Sequence, residues 1–384
     1  MVDVAVVGAG PAGAAAALAA RRAGARVLLL DRARFPRDKP CGDGIAPHTI
    51  DVLTDLGVPD PVDGYAPVTR LRLVAPYGGQ VADELRRPAY TVPRTVFDAR
   101  LVAAALDAGA ELRQHTVRRM VADDGLVVLD GEIAARAVVG ADGAGSVVRR
   151  ALGCDANPAG HLALAIRGYA PAAPTSAHEQ RIVTTAAGWP AYAWSFPIGD
   201  GRANVGYGEV LRGRPVTRAH LLDRLVALLD GTDLAQVSDL RAHHLPLATW
   251  RPSPGAGRVV LAGDALSLIN PFTGEGIFYA VLSGALAGTA AAREPAHAAS
   301  RYRRALHRRL GAHLRHSAAA SWLARRPAMV DAAVVAAARD RQVFDAIVDL
   351  GLGDGLLNAR TVRKAVANAV VCQTAGTVRR RRGR

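Results

Sequence analysis

The sequence predicts an α/β fold, α+β overall. It combines a parallel-sheet nucleotide-binding unit, an inserted antiparallel-sheet module and a helical C-terminal segment. Three observations predict it. Residues 2–31 read strand, glycine turn, helix, strand, a βαβ start that places a ligand at the C-terminal ends of parallel strands. Two later apolar strands, at 137–140 and 258–262, each run into a glycine–aspartate turn. Between them, residues 160–245 are strand-rich, so a second module interrupts the first.

In chain order, 2–7 is a short β-branched strand, 8–13 a glycine turn, 14–22 an alanine-rich helix and 25–30 a buried strand ending at Asp31. A loop rich in Arg, Pro and Gly covers 32–47. Short strands are expected at 70–74 and 89–93, a helix at 95–108 and a strand at 111–115. One helix near 216–229 falls within the strand-rich module, and a long small-residue helix follows the 258–262 strand to about 292. The expected division is 1–65, 94–160 and 246–295 for the nucleotide unit, 66–93 and 161–245 for the substrate sheet, and 296–384 for the basic helical segment.

Composition narrows the class. Half of the 384 residues are hydrophobic and 21% are charged, which excludes wholesale disorder. Cys41, Cys154 and Cys372 are too few and too scattered for a disulfide framework or a four-cysteine zinc site, so a reducing, cytoplasmic compartment is expected and no metal. No leader peptide is expected, and no apolar run reaches the ~18 residues of a spanning helix. The net charge of +14 is concentrated at the end: residues 301–384 hold seventeen Arg, one Lys and five Asp. Arg301, Arg303, Arg304, Arg308, Arg309 and the 379–382 tail suit a solvated helical face or an anionic membrane surface. Nucleic acid is not expected, since no recognisable module accompanies the charge.

Gly8, Gly10 and Gly13 have the G-x-G-x-x-G spacing between a strand and a helix, with Asp31 about twenty residues on. The three glycines serve the tight turn, the approach of a pyrophosphate and close helix–strand packing. The helix N-terminus faces the phosphates, and Asp31, next to Arg32, accepts from ribose hydroxyls. This spacing alone does not separate FAD from NAD.

Gly140-Ala-Asp142-Gly143, and Gly263-Asp264-Ala265 followed by Pro271-Phe-Thr-Gly274-Glu-Gly276-Ile277, resemble the second and third motifs of FAD enzymes with the para-hydroxybenzoate-hydroxylase fold. Lys39-Pro-Cys41-Gly42-Asp43-Gly44, and Tyr192-Ala-Trp194-Ser-Phe196-Pro197 followed by Gly206-Tyr207-Gly208, resemble the geranylgeranyl reductase family. That resemblance spans residues 3–290 and says least about the basic segment. It implies a Rossmann-like FAD-binding domain and FAD contacts at Ala12, Asp31, Cys41, Gly42, Gly44, Arg94, Val117, Asp264, Gly276 and Ile277. It further implies a substrate cavity at Tyr192, Trp194, Phe196, Pro197, Gly206 and Gly208.

The implied reaction is hydride transfer from reduced flavin to an isoprenoid double bond, in a geranylgeranyl group, a prenyl lipid or a menaquinone side chain. An isolated alkene accepts hydride poorly, so a proton must be delivered to its other carbon in a dry cavity. Tyr192, Trp194 and Phe196 alternate along a strand and therefore share one face. Cys41 is a candidate redox thiol, proton donor or small packing residue, and Tyr192 a second candidate donor. His243 and His244 read as surface or strand residues. NAD(P)H and ferredoxin both remain open as electron donor. The alternative is an FAD-dependent monooxygenase or halogenase acting on an aromatic or polyketide metabolite; a non-catalytic flavin sensor has no positive feature. Peripheral contact with the inner face of the membrane is the expected location.

Overall fold

A computed structural model describes residues 1–357, except 124, 174–176 and 188, together with residue 363. The first strands and helices are β1 (Val2–Val7), α1 (Pro11–Arg22), β2 (Val27–Asp31), β3 (Gly44–Ile45) and α2 (Pro47–Asp55). They are followed by β4 (Val68–Val74), β5 (Gln80–Thr91), α3 (Arg94–Asp107), β6 (Glu111–Gln114), β7 (Met120–Ala122) and β8 (Val127–Leu129). Next come β9 (Ile133–Gly140), α4 (Val147–Ala151), β10 (Leu162–Pro171), β11 (Glu179–Thr184), β12 (Ala191–Pro197) and β13 (Arg202–Val210). The chain continues through α5 (Arg218–Leu228), β14 (Ser238–Pro246), β15 (Gly255–Ala256), β16 (Val259–Leu261) and α6 (Ile277–Arg293). Three helices end the described chain: α7 (Ala298–Leu323), α8 (Pro327–Arg339) and α9 (Arg341–Leu352).

The first sheet has β1 at its centre, parallel to β2 and β9, with β6 and β16 extending it on either side. β1, β2 and β16 are largely apolar and buried, as strands covered by helices on both faces require, while the edge strand β6 is polar and exposed. The C-terminal ends of β1, β2, β9 and β16 carry the Gly8 turn, Asp31, the 140–143 turn and the Gly263–Asp264 turn together. Four motifs scattered between Gly8 and Asp264 thus meet along one edge, the place where open α/β sheets bind ligands. The 259–261 strand is shorter than the expected 258–262, and a β7–β8 hairpin, absent from the expectation, extends the sheet beside β9.

The second sheet runs β14-β10-β13-β12-β11-β4-β5-β3. It is antiparallel except at the β11–β4 junction, where two separate passages of the chain pair in parallel. β5 is twelve residues long, much longer than the expected 89–93 strand. The Gly44–Ile45 strand, within the stretch expected to belong to the nucleotide unit, is an edge strand of this second sheet.

The C-terminal helices are a solvated surface only in part: Arg303, Arg304, Arg308 and Arg309 of α7 are exposed, whereas α8 and α9 pack on the second sheet. α8 and α9 bury Val334, Ala336, Ala337, Val343 and Phe344 against Leu71, Ala75 and Val81 of the β4–β5 hairpin. Tyr279 of α6 donates to the Gly353 carbonyl and contacts the His313 ring of α7, tying the last helices to the centre of the molecule. Cys372, Lys364 and the 379–382 arginines lie outside the described residues.

Candidate active site

The β1–α1 turn has the form a dinucleotide needs. Gly8 has a left-handed φ of +97°, and a Cβ at Gly13 would stand 1.7 Å from the Gly8 carbonyl oxygen, so no side chain fits at either position. The α1 N-terminus has no side-chain cap, which leaves amides directed outward at the positive helix end. A Cβ on Gly10 would meet guanidinium nitrogens of Arg37 at 3.2 Å and Arg94 at 3.9 Å. Two cations beside uncapped helix amides are a donor set for a diphosphate. Asp31 Oδ2 accepts from the Ala9 amide at 2.8 Å, which fixes a carboxylate at the end of β2. Val117 is buried in the loop after β6, while the Arg32 side chain is exposed. Asp142 turns inward, accepting from Ser146 Oγ at 2.5 Å and the Val147 amide at 2.6 Å, and so shapes the start of α4. FAD fits these residues.

Arg94 is buried and forms a bidentate pair with buried Asp98 at 2.6 and 2.7 Å. Arg37 adds a third contact to Asp98 at 3.1 Å. Burial works against the Arg94 charge, yet Asp98 keeps the guanidinium firmly protonated. Asp264, in the turn after β16, pairs with Lys39 at 3.0 Å. Burial tends to raise its carboxyl, but Lys39 and His243 hold it below the usual carboxylate range.

The 39–44 segment is pinned onto the second sheet. Asp38 pairs with Arg167 of β10. Asp43, fully buried, accepts from Tyr169 at 2.6 Å and from Asn204 at 2.8 Å. Asn204 also donates to the Cys41 carbonyl at 2.8 Å and accepts from the Trp194 indole at 2.9 Å. One asparagine therefore sets the Cys41 backbone against the aromatic strand. Burial pushes the Asp43 carboxyl up to about 6.

Between these segments lies a cavity of about 380 Å³ with a mostly apolar lining. Cys41, Gly42, Gly44, Arg94, Asp264, Gly276 and Ile277 all line it. Tyr192, Trp194 and Phe196 share one face, with successive ring centroids 5.8 and 6.5 Å apart, and all three line the wall with Gly208. Gly206 lies directly beneath the Trp194 ring, while Pro197 closes the strand. Met329, Val330, Ala333 and Val334 of α8 and Val343, Ile347 and Val348 of α9 also line the cavity.

Burial raises the Cys41 thiol above its ordinary range, with Arg94 pulling it only partly back, so at neutral pH the sulfur keeps its proton. Burial likewise raises the Tyr192 hydroxyl, which donates to the Thr273 carbonyl at 2.5 Å and braces the turn before α6. Three contributors were not foreseen. Arg37 stands in the loop without a motif of its own. His243 lines the cavity, and burial beside Lys39 lowers it to about 4; it is not a surface histidine. Glu275, inside the Pro271–Gly276 turn, accepts from the Phe278 amide at 2.9 Å, and burial raises it to about 7.

Glu275 gives a pH prediction. With a native value near 7 against an ordinary 4.5, the unfolded chain loses this proton first. Stability therefore falls as pH rises from the ordinary value through the native one, and is flat above it. Glu275→Gln removes this loss while its amide oxygen still accepts from Phe278. The thermal midpoint of the flavin-free variant, minus that of wild type, is expected to be larger at pH 8 than at pH 5. A difference independent of pH contradicts the assignment.

Fold and site together define a flavin-dependent oxidoreductase. Residues 1–293 match the FAD binding domain family. The chain is 34% identical over 314 residues to menaquinone reductase of Mycobacterium tuberculosis, covering 74% of this chain and 75% of that protein. It is also 34% identical over 314 residues to digeranylgeranylglycerophospholipid reductase 1 of Methanopyrus kandleri, covering 75% and 80%. A geranylgeranyl bacteriochlorophyll reductase-like protein from Thermoplasma acidophilum superposes with a TM-score of 0.77 over 95% of this chain and 96% of that one, at 22% identity, which shows a shared fold. The chain belongs to the FAD-binding-domain family and, within it, to the geranylgeranyl reductase family of FAD-dependent oxidoreductases.

Proposed function

We propose that the protein saturates a carbon–carbon double bond of a prenyl chain, an unsaturated menaquinone side chain being the first substrate to test. The observation that carries this reading is one apolar cavity lined both by the Cys41 and Gly276 segments and by three aromatic rings. The reductase names of the relatives above agree with it.

In this reading the α1 amides with Arg37 and Arg94 hold the diphosphate, Asp31 the ribose, and Asp264 the ribityl chain. Ala12, Gly42, Gly44, Val117, Gly276 and Ile277 complete the contact surface. Bound FAD supplies two electrons as hydride to one alkene carbon. Cys41 stands ready to give a proton to the other, because burial keeps its thiol protonated. One hydride and one proton saturate the bond, and the thiol recovers its proton from water. Tyr192 positions the α6 turn, and the apolar rings exclude water from the double bond. Glu275, largely neutral below pH 7, then adds little negative charge at the N-terminus of α6, whose positive end can oppose negative charge on the cofactor ring.

We also propose the domain division given by the sequence: 1–65, 94–160 and 246–295 around FAD, 66–93 and 161–245 as substrate sheet, and the helical remainder. NAD(P)H or a ferredoxin is the proposed electron donor, since the chain carries one G-x-G-x-x-G unit on a βαβ start. The proposed location is cytoplasmic, at the inner face of the membrane. Mass spectrometry of lipid extracts from strains with and without the gene tests the function: the gene is expected to add two mass units to a prenyl lipid, and identical profiles contradict it.

A further inference from the structure

We infer that the corner between α7 and α8 is a docking surface for an anionic lipid bilayer, set at the rim of the cavity; the reason for docking there rests on the prenyl reading above. Among the described residues, only two exposed large apolar side chains are aromatic: Trp322, 63% exposed, and Tyr77, 67% exposed. They come from distant parts of the sequence, and each adjoins α8. Trp322 belongs to the last turn of α7. Tyr77 lies in the β4–β5 turn, whose Gly79 amide donates to Asp331 of α8 at 3.4 Å. Arg325 and Arg326 follow Trp322 in the α7–α8 connection, both exposed, with no carboxylate partner among the described residues.

Tryptophan and tyrosine favour the interfacial layer of a bilayer, where an apolar body and a polar tip are both satisfied. Arginine adds attraction to anionic headgroups. This is the composition of a surface that rests on anionic lipid.

The position of the corner gives it a purpose. Leu323, Ala324, Met329 and Val330, its immediate sequence neighbours, line the cavity. The Trp189 indole, also a lining group, donates to the Ala324 carbonyl and holds this rim against β12. A prenyl chain leaving the bilayer here meets an apolar cavity that the Cys41 segment also lines. Among the described residues no helix is long and apolar enough to cross a membrane, so docking at the surface brings enzyme and lipid together.

The arginine-rich start of α7 is a poorer candidate. Arg301 is paired with Glu294 and Arg309 with Asp354. Arg303 donates to Ser253 and Gly255. Arg304 lies about 27 Å along the helix axis from Trp322, beyond reach of the cavity rim.

The test uses the full-length flavin-loaded protein and vesicles of phosphatidylcholine with or without one-quarter phosphatidylglycerol. Wild type and the control Arg304→Ser/Arg308→Ser are expected to co-sediment with the anionic vesicles. Trp322→Ser/Arg325→Ser/Arg326→Ser is expected to partition about tenfold more weakly. Turnover of a prenylated quinone dispersed in detergent is expected to match wild type in this variant, while turnover of the same quinone within anionic vesicles falls by a similar factor. Three results overturn the inference: no preference of wild type for anionic vesicles, equal binding by the triple variant, or loss of binding in the control instead. A tenfold difference in vesicle binding without turnover of any prenylated quinone supports the docking surface and overturns the prenyl reading alone.

Discussion

Arg94→Ala is expected to yield protein that retains little flavin and is less stable by about 3 kcal/mol. The cause is Asp98, wholly buried in α3 and held by Nε and Nη2 of the Arg94 fork. Removing one partner of a buried pair leaves an uncompensated charge, which costs about 3–5 kcal/mol. Arg37, at 3.1 Å from Asp98, survives the substitution and places the effect near the lower limit. It is drawn further onto Asp98 and away from Gly10, so the diphosphate cradle loses both cations. Arg94→Ala/Asp98→Ala removes the orphaned carboxylate and is expected to recover most of the stability but not the flavin. Denaturant unfolding and the ratio of visible to ultraviolet absorbance separate the two quantities. Equal flavin content in Arg94→Ala and wild type contradicts the cradle.

The second large effect is expected at the crossing of α1 and α6. A Cβ at Gly284 would lie 2.1 Å from the Ala12 carbonyl oxygen, and one at Gly288 would lie 2.0 Å from that of Ala16. Four residues apart on each helix, these positions share a face, and the two backbones touch without side chains between them. Gly284→Val must push α6 away from α1. Overpacking of this kind costs about 1–3 kcal/mol, occasionally more. Both helices begin at the cofactor site, α1 at the Gly10 turn and α6 at Gly276. Their separation misplaces one helix end relative to the other, and flavin affinity is expected to fall at least about tenfold, equivalent to 1.4 kcal/mol. Thermal midpoint and flavin titration measure both effects; wild-type values for Gly284→Val contradict the packing account.

What the sequence revealed was chemistry carried by local turns. Gly8 and Gly13 are confined to glycine by a left-handed φ and a close approach, and Asp31 and Asp264 follow the ends of strands, so their spacing is readable without tertiary information. The alternation of Tyr192, Trp194 and Phe196 is equally local, and the three rings do share a face.

What escaped depends on contacts between distant segments. Nothing in the amphipathic pattern of residues 327–352 says that α8 and α9 cover the β4–β5 hairpin and close the cavity. The parallel pairing of β4 with β11 joins two strands more than a hundred residues apart, and pairing of that kind has no local signal. Glu275 was visible inside its motif, but its raised pKa is a product of tertiary burial. Arg37 and His243 acquire their roles only through Asp98 and Lys39. The α2 helix was passed over, although Pro47 at its first turn and buried Thr49 and Leu53, four apart, are a readable signature.

The claim on which the account rests is that the cavity lined by Cys41 joins a bound flavin to an apolar alkene. The direct measurement is an anaerobic single turnover: photoreduced enzyme mixed with an unsaturated menaquinone, its flavin absorbance followed and its product weighed. The account predicts reoxidation of the flavin with one prenyl double bond saturated per flavin, slowed in Cys41→Ala at undiminished flavin content. Flavin that stays reduced until oxygen is admitted, with the side chain unchanged, would contradict it.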